Sequence, residues 1–161
     1  MRWLVPVLAA LLCAAGGWTY ATARGDADTA YAHSRDDALS AARTHIATLN
    51  SRDGDDVDAS LRRWREAVHG PLADELRRTG EDSAEVLAAE GTTLRATVTD
   101  AALTALDARA GTAEAIATVR IEVQPRSGDP TTDRKRFEAA LDRTDAGWKL
   151  SSLTAVPVGA P

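Results

Sequence analysis

Glu114-Ala115-Ile116-Ala117-Thr118-Val119-Arg120-Ile121-Glu122-Val123-Gln124 decides the fold class. Ala115, Ala117, Val119, Ile121 and Val123 share one face, while Thr118, Arg120 and Glu122 share the other. That period of two belongs to a strand with one buried side. Upstream, Leu94, Ala96 and Val98 alternate with Thr93, Arg95, Thr97 and Thr99, predicting a long strand or a bulged pair reaching about Leu106. Asp107–Thr112, with Gly111, reads as a hairpin turn. Downstream, Pro125–Thr132 is a loop holding Gly128, Asp129 and Pro130, and Lys135–Thr144 alternates again through Phe137, Ala139 and Leu141. Asp145-Ala146-Gly147 turns the chain, and Trp148, Leu150 and Leu153 form a last strand with a slip in register near Ser151-Ser152.

Before the strands the period is helical. From Thr29 to Asn50, Leu39, Ala42, Ile46 and Leu49 recur at three- and four-residue spacing, with Arg35, Asp36 and Arg43 on the opposite face. Ser51–Asp56 is a turn containing Gly54. A second helix carries Val57, Leu61, Trp64 and Val68, capped by Asp55 or Asp56. Gly70 ends it and Pro71 opens a short third helix through Leu72 and Leu76. Asp82–Glu90 adds two more turns, closed by Gly91. Helices followed by hairpin-linked strands predict an α+β fold, with helices packed on a curved antiparallel sheet.

The N-terminus is Met1-Arg2, an uncharged run from Trp3 to Ala23, and Arg24. As a helix the run would be about 31 Å long, enough for one membrane crossing with the N-terminus cytoplasmic. Trp3, Trp18 and Tyr20 stand where interfacial aromatics stand. The competing reading is a signal peptide cleaved near Ala23 after Ala21-Thr22-Ala23, giving a secreted product. The expected organisation is therefore a cytoplasmic stub and anchor over 1–23, a linker and amphipathic first helix over 24–50, the rest of an extracytoplasmic domain over 51–157, and a tail over 158–161.

The chain of 161 residues carries 19 Lys and Arg against 24 Asp and Glu, a net charge of −5. That balance excludes a general nucleic-acid binder, which needs a basic face to displace counterions. One cysteine, Cys13, excludes an internal disulfide framework and a Cys-rich zinc site. Beyond Ala23 only 26 of 138 residues are Leu, Ile, Val, Phe or Trp, a thin supply for a core. A partner, a second copy or a lipid would complete it.

No catalytic constellation is visible, and neither a cofactor nor a metal is expected. His33 and Asp37 lie four apart on a polar helix face and read as solvated. His45 sits one residue off the apolar stripe, and His69, beside Gly70-Pro71, reads as a helix-end residue interacting with the dipole. Asp53-Gly54-Asp55-Asp56-Val57-Asp58 fails as a calcium loop, because Val57 and Trp64 stand where ligands are required. Asp100 and Asp107 sit at strand breaks and read as turn residues. Candidate pocket or core-lining residues are Trp64, Val119, Ile121, Phe137 and Trp148.

Phe137-Glu138-Ala139-Ala140-Leu141, the turn at Asp145 and Gly147, and Trp148-Lys149-Leu150-Ser151-Ser152-Leu153 resemble the closing hairpin of nuclear transport factor 2-like domains. The order of elements from Trp3 to Val156 resembles one branch in particular, the Mce-associated membrane proteins, departing from it at Asn50-Ser51-Arg52-Asp53, where that branch carries an aromatic run. The resemblance implies a non-catalytic accessory subunit of an envelope lipid or sterol import complex. Its partners would be the bilayer, Mce-type transporter subunits and a second copy. A small-ligand carrier using the cone is the alternative it leaves, and an isomerase- or cyclase-like enzyme the third.

Overall fold

The computed structural model describes residues 4–157, with side chains for 25, 28–80 and 84–157. The elements run α1 (Leu4–Leu49), α2 (Val57–Ala67), α3 (Gly70–Glu90), β1 (Thr93–Asp107), β2 (Thr112–Gln124), β3 (Thr131–Thr144) and β4 (Gly147–Val156). Two units divide the chain, Met1–Ser34 and Arg35–Pro161. The anchor expected over 3–23 falls on residues whose side chains lie outside the described set. Among the described residues, no helix is long and apolar enough to cross a membrane.

In the second unit the strands form an antiparallel meander in the order β1-β2-β3-β4. The helices pack on one face, giving the α+β, nuclear transport factor 2-like arrangement of helices on a curved four-stranded sheet. Ala38, Ala42 and Ile46, one stripe of α1, are fully buried with the inner ladder of β2: Ala113, Ala115, Ala117, Val119 and Ile121. Phe137, Ala139 and Leu141 of β3 and Trp148 and Leu150 of β4 complete the cluster. Small alanines on α1 and β2 let the helix axis lie close to the sheet.

β1 is one strand with two register shifts, between Val98 and Asp100 and between Leu103 and Ala105. Each leaves one extra residue, Thr99 and then Thr104, so that Ala96, Val98, Ala101, Leu103 and Leu106 all reach the inner face. A further shift, opposite Ala140/Leu141, leaves Ser151 extra and brings both Leu150 and Leu153 inward.

Helix ends follow their chemistry. Asp56 caps α2 by accepting the Ala59 N–H at 2.8 Å. Gly91 closes α3 in the left-handed conformation, φ 61°, donating its N–H to Leu87. The predicted pair of short helices after Pro71 is instead one helix of 21 residues running through Gly80. Gly80 is buried, and a β-carbon there would lie 3.7 Å from Leu61 Cδ2, so the glycine faces α2 rather than ending the helix.

Candidate functional site

A groove of about 550 Å³ opens where the end of α1, the 51–56 turn, α2 and the start of β1 meet. It is lined by Thr48, Ser51, Arg52, Asp53, Asp55, Arg63 and Arg95, with Ala47, Thr93 and Leu94. The turn is built onto the edge of β1: Arg52 exchanges backbone hydrogen bonds with Leu94 at 2.9 and 2.8 Å. Ser51 Oγ accepts the Ala96 N–H, and Thr93 Oγ1 accepts the Gly54 N–H, both at 3.0 Å.

Arg52 is 7% exposed; its Nε donates to the Thr92 carbonyl at 3.1 Å and its Nη2 to Glu90 Oε2 at 3.0 Å. Ser60 is fully buried, and its Oγ accepts from the Asp53 N–H and from Arg63 Nη2. Asp53 Oδ1 accepts the Asp55 N–H. The groove therefore offers guanidinium and carboxylate groups, while hydroxyls that could serve as nucleophiles are spent on the fold.

On the far side of α1, His45 Nε2–H donates to the Trp148 carbonyl at 2.9 Å. Half-burial holds the His45 pKa below its ordinary value despite that hydrogen bond, and Lys149 lowers it further. Lys149 donates to the Glu66 carbonyl and His69 N–H to the Leu150 carbonyl, which together cover part of the outer edge of β4. His69 is the N-cap position of α3 and makes no side-chain capping bond; its contribution is this backbone bond. Asp107 takes a turn role: its Oδ1 accepts the N–H groups of Ala110 and Arg109, which lower its pKa.

Of the residues singled out in the sequence, Val119, Ile121, Phe137 and Trp148 come together in the central cluster. Trp64 is half-buried elsewhere, its Nε1–H donating to the Ser51 carbonyl at 2.9 Å. The cone reading required room beside these residues, yet α1 sits against them and Val119, Leu141 and Leu150 have no exposed surface. The small-ligand carrier is therefore not supported. Arg52 and Ser60 were missed, because a charged residue in a turn and a serine in a helix carry no local sign of long-range burial.

Among the described residues, no three His, Cys, Asp or Glu side chains gather as a metal site. No family model and no curated protein matches the chain. Solved structures do. An IcmL-like type IV secretion system protein from Legionella pneumophila aligns at 14% identity and TM-score 0.60, over 76% of this chain and 92% of that one. CagV, a VirB8 homologue of the Helicobacter pylori type IV secretion system, aligns at 9% identity and TM-score 0.59, over 74% and 96%. The periplasmic domain of DotI aligns at 13% identity and TM-score 0.57, over 74% and 93%. These correct the Mce assignment, and with it the lipid-import role and the Mce-type partners. The closing hairpin and the order of elements mark a broad fold that these secretion-system domains share. The chain is thus similar in fold, over 74–76% of its length, to these secretion-system domains.

Proposed function

We propose that this chain is a non-catalytic, extracytoplasmic subunit of a type IV secretion-like envelope assembly, its folded domain acting as a scaffold. The observation that carries the reading is the extent of the match, which takes in 92–96% of three domains from secretion proteins. The filled inner face and the structural use of Ser51, Thr93 and Ser60 favour a scaffold over an enzyme. Residues 1–23 would hold the domain to the membrane.

Cross-linking of the full-length chain in native membranes, followed by purification in mild detergent and mass spectrometry, tests this. Recovery of identified type IV secretion channel or ATPase subunits at specific lysines or carboxylates supports it. A chain recovered free of such subunits, processed near Ala23 and released to the medium, overturns it.

A further inference from the structure

The face of the sheet turned away from the helices carries Arg120 of β2 and Arg134 and Arg136 of β3, all exposed. Arg120 and Arg134 are direct cross-strand partners, and Arg136 stands two positions along, opposite Thr118. The backbone bonds say how close the first two are. Leu94 of β1 spends its N–H and C=O on Arg52, so it turns them away from β2, and Leu94–Val123 is a non-hydrogen-bonded pair. Val123 therefore points its own groups at β3. The register between β2 and β3 runs without a shift, which makes Arg120–Arg134 a non-hydrogen-bonded pair across that seam. Such pairs hold their Cα atoms only about 4.5 Å apart, with the side chains abreast. Like charges in that position are unfavourable. Glu122 and Asp100 lie on the same face, yet among the described residues Arg120, Arg134 and Arg136 take part in no ion pair.

A local rule broken on an otherwise regular seam is the mark of a functional place. Three guanidinium groups rise from one spot, and their chemistry selects what they take. A carboxylate offers two oxygens, which one guanidinium fork fills. A phosphomonoester offers three terminal oxygens and about 1.5 to 2 negative charges at neutral pH, enough for two or three arginines at once. A long polyanion fits poorly, because Glu114 and Glu138 follow on the same seam and the chain carries a net charge of −5. Beside Arg136 lies a depression of about 290 Å³ lined by Ala101, Ala102, Ile116, Ala117 and Thr118, with Asp100. Ile116 is 41% exposed there, so an apolar group attached to the phosphate has a surface to cover. Asp100 disfavours a second anionic group in the same depression.

We propose that Arg120, Arg134 and Arg136 form a binding site for a phosphomonoester whose ester group is apolar. The phosphate bridges the Arg120–Arg134 pair and takes a further fork from Arg136, while the ester group lies over Ile116 in the adjoining depression. Occupancy removes the repulsion between the paired arginines and covers the isoleucine, so the ligand stabilises the domain by mass action. A soluble phosphorylated compound and a membrane-borne phosphate share this chemistry, and the test separates them. The proposal stands independently of the secretion reading.

The test uses the full-length chain in a mild non-ionic detergent and phenyl phosphate as the probe, followed by phosphorus NMR and titration calorimetry. Saturable one-to-one binding is expected, with inorganic phosphate and benzoate each bound about fivefold more weakly or worse. Binding weakens as pH is lowered through about 6, where the phosphate loses its second charge. R120Q/R134Q is expected to weaken it about tenfold or more, whereas R62Q/R65Q, which removes two arginines from α2, leaves it unchanged. I116S weakens the binding of phenyl phosphate and not that of inorganic phosphate. Thermal melting confirms that each variant is folded, and the wild-type melting temperature rises with added phenyl phosphate. With the chain reconstituted in phosphatidylcholine vesicles, phosphatidic acid that displaces phenyl phosphate assigns a membrane-borne source, and phenyl phosphate that stays bound assigns a soluble one; the site stands in both cases. No saturable binding, benzoate bound as tightly as phenyl phosphate, equal losses in the two double variants, or an I116S chain indistinguishable from wild type overturns the proposal.

Discussion

Gly54 shows how one residue can hold two distant turns together. A β-carbon placed on it would lie 2.5 Å from the Gly91 carbonyl oxygen and 2.6 Å from its carbon. Both obstacles are backbone, so neither can rotate away. Gly54→Ala is therefore expected to cost about 1–3 kcal/mol, read as a lowered urea midpoint at unchanged slope. At Gly91 the neighbour is the tip of Arg126, which can swing aside, and the left-handed φ is the obstacle instead. The sequence placed Gly54 in a turn and Gly91 at a helix end but carried no trace of their contact, which spans 37 positions.

His45 makes the domain sensitive to acid. Its folded pKa lies below the ordinary value of 6.5, so between the two the unfolded chain binds more protons and stability rises with pH. The contribution is complete above about pH 6.5 and is lost as pH falls through the folded pKa. His45→Gln can keep a donor to the Trp148 carbonyl without titrating. Urea midpoints measured from pH 7.5 down to about 5 should fall less steeply for the variant than for wild type. Equal slopes would place the acid sensitivity elsewhere.

Among the elements, α3 departs most from what its residues suggest. Gly70 and Gly91 read as stops, and only Gly91 ends a helix. Gly70 begins α3 at φ 55°, whereas Gly80 is absorbed because packing on Leu61 outweighs the loss of roughly 1 kcal/mol in helix propensity. Since the added methyl of Gly80→Ala would make an ordinary contact, that substitution should stabilise the domain by about 0.5–1 kcal/mol in thermal or urea unfolding. The cap of α2 was legible, because Asp56 acts on a residue three positions away. Asp56→Ala should cost about 1 kcal/mol, and Asp56→Ser should recover most of it. The strands were legible too, since alternation is a local signal. The burial of Arg52 beneath Glu90 and Thr92 was not, because the residues are about 40 positions apart and nothing near Arg52 announces it.

For the whole molecule, the order of elements identified the class of fold but pointed to the wrong branch of it. Phe137, Leu141, Trp148 and Leu150 are required by any sheet wrapped on a helix, so they distinguish this architecture from others but not its lineages from each other. The sparse supply of large apolar residues was also readable, and its consequence is visible in a core where α1 and β2 contribute mostly alanine. Such a core buries little area per residue, so its few large side chains carry a larger share of the stability.

The two extra residues in β1 have a consequence for how this fold can vary. Removing Thr99 and Thr104 together would leave Ala96, Val98, Ala101, Leu103 and Leu106 in strict alternation, each of these five still pointing inward. The hydrophobic message would survive intact while the bend it is written on was lost. Curvature here is carried by chain length, in single-residue insertions, rather than by residue identity. Lineages could tighten or relax the grip of the sheet on α1 by gaining or losing one residue at these two places, with no change to the core. An aligner scoring substitutions alone would pass over that change.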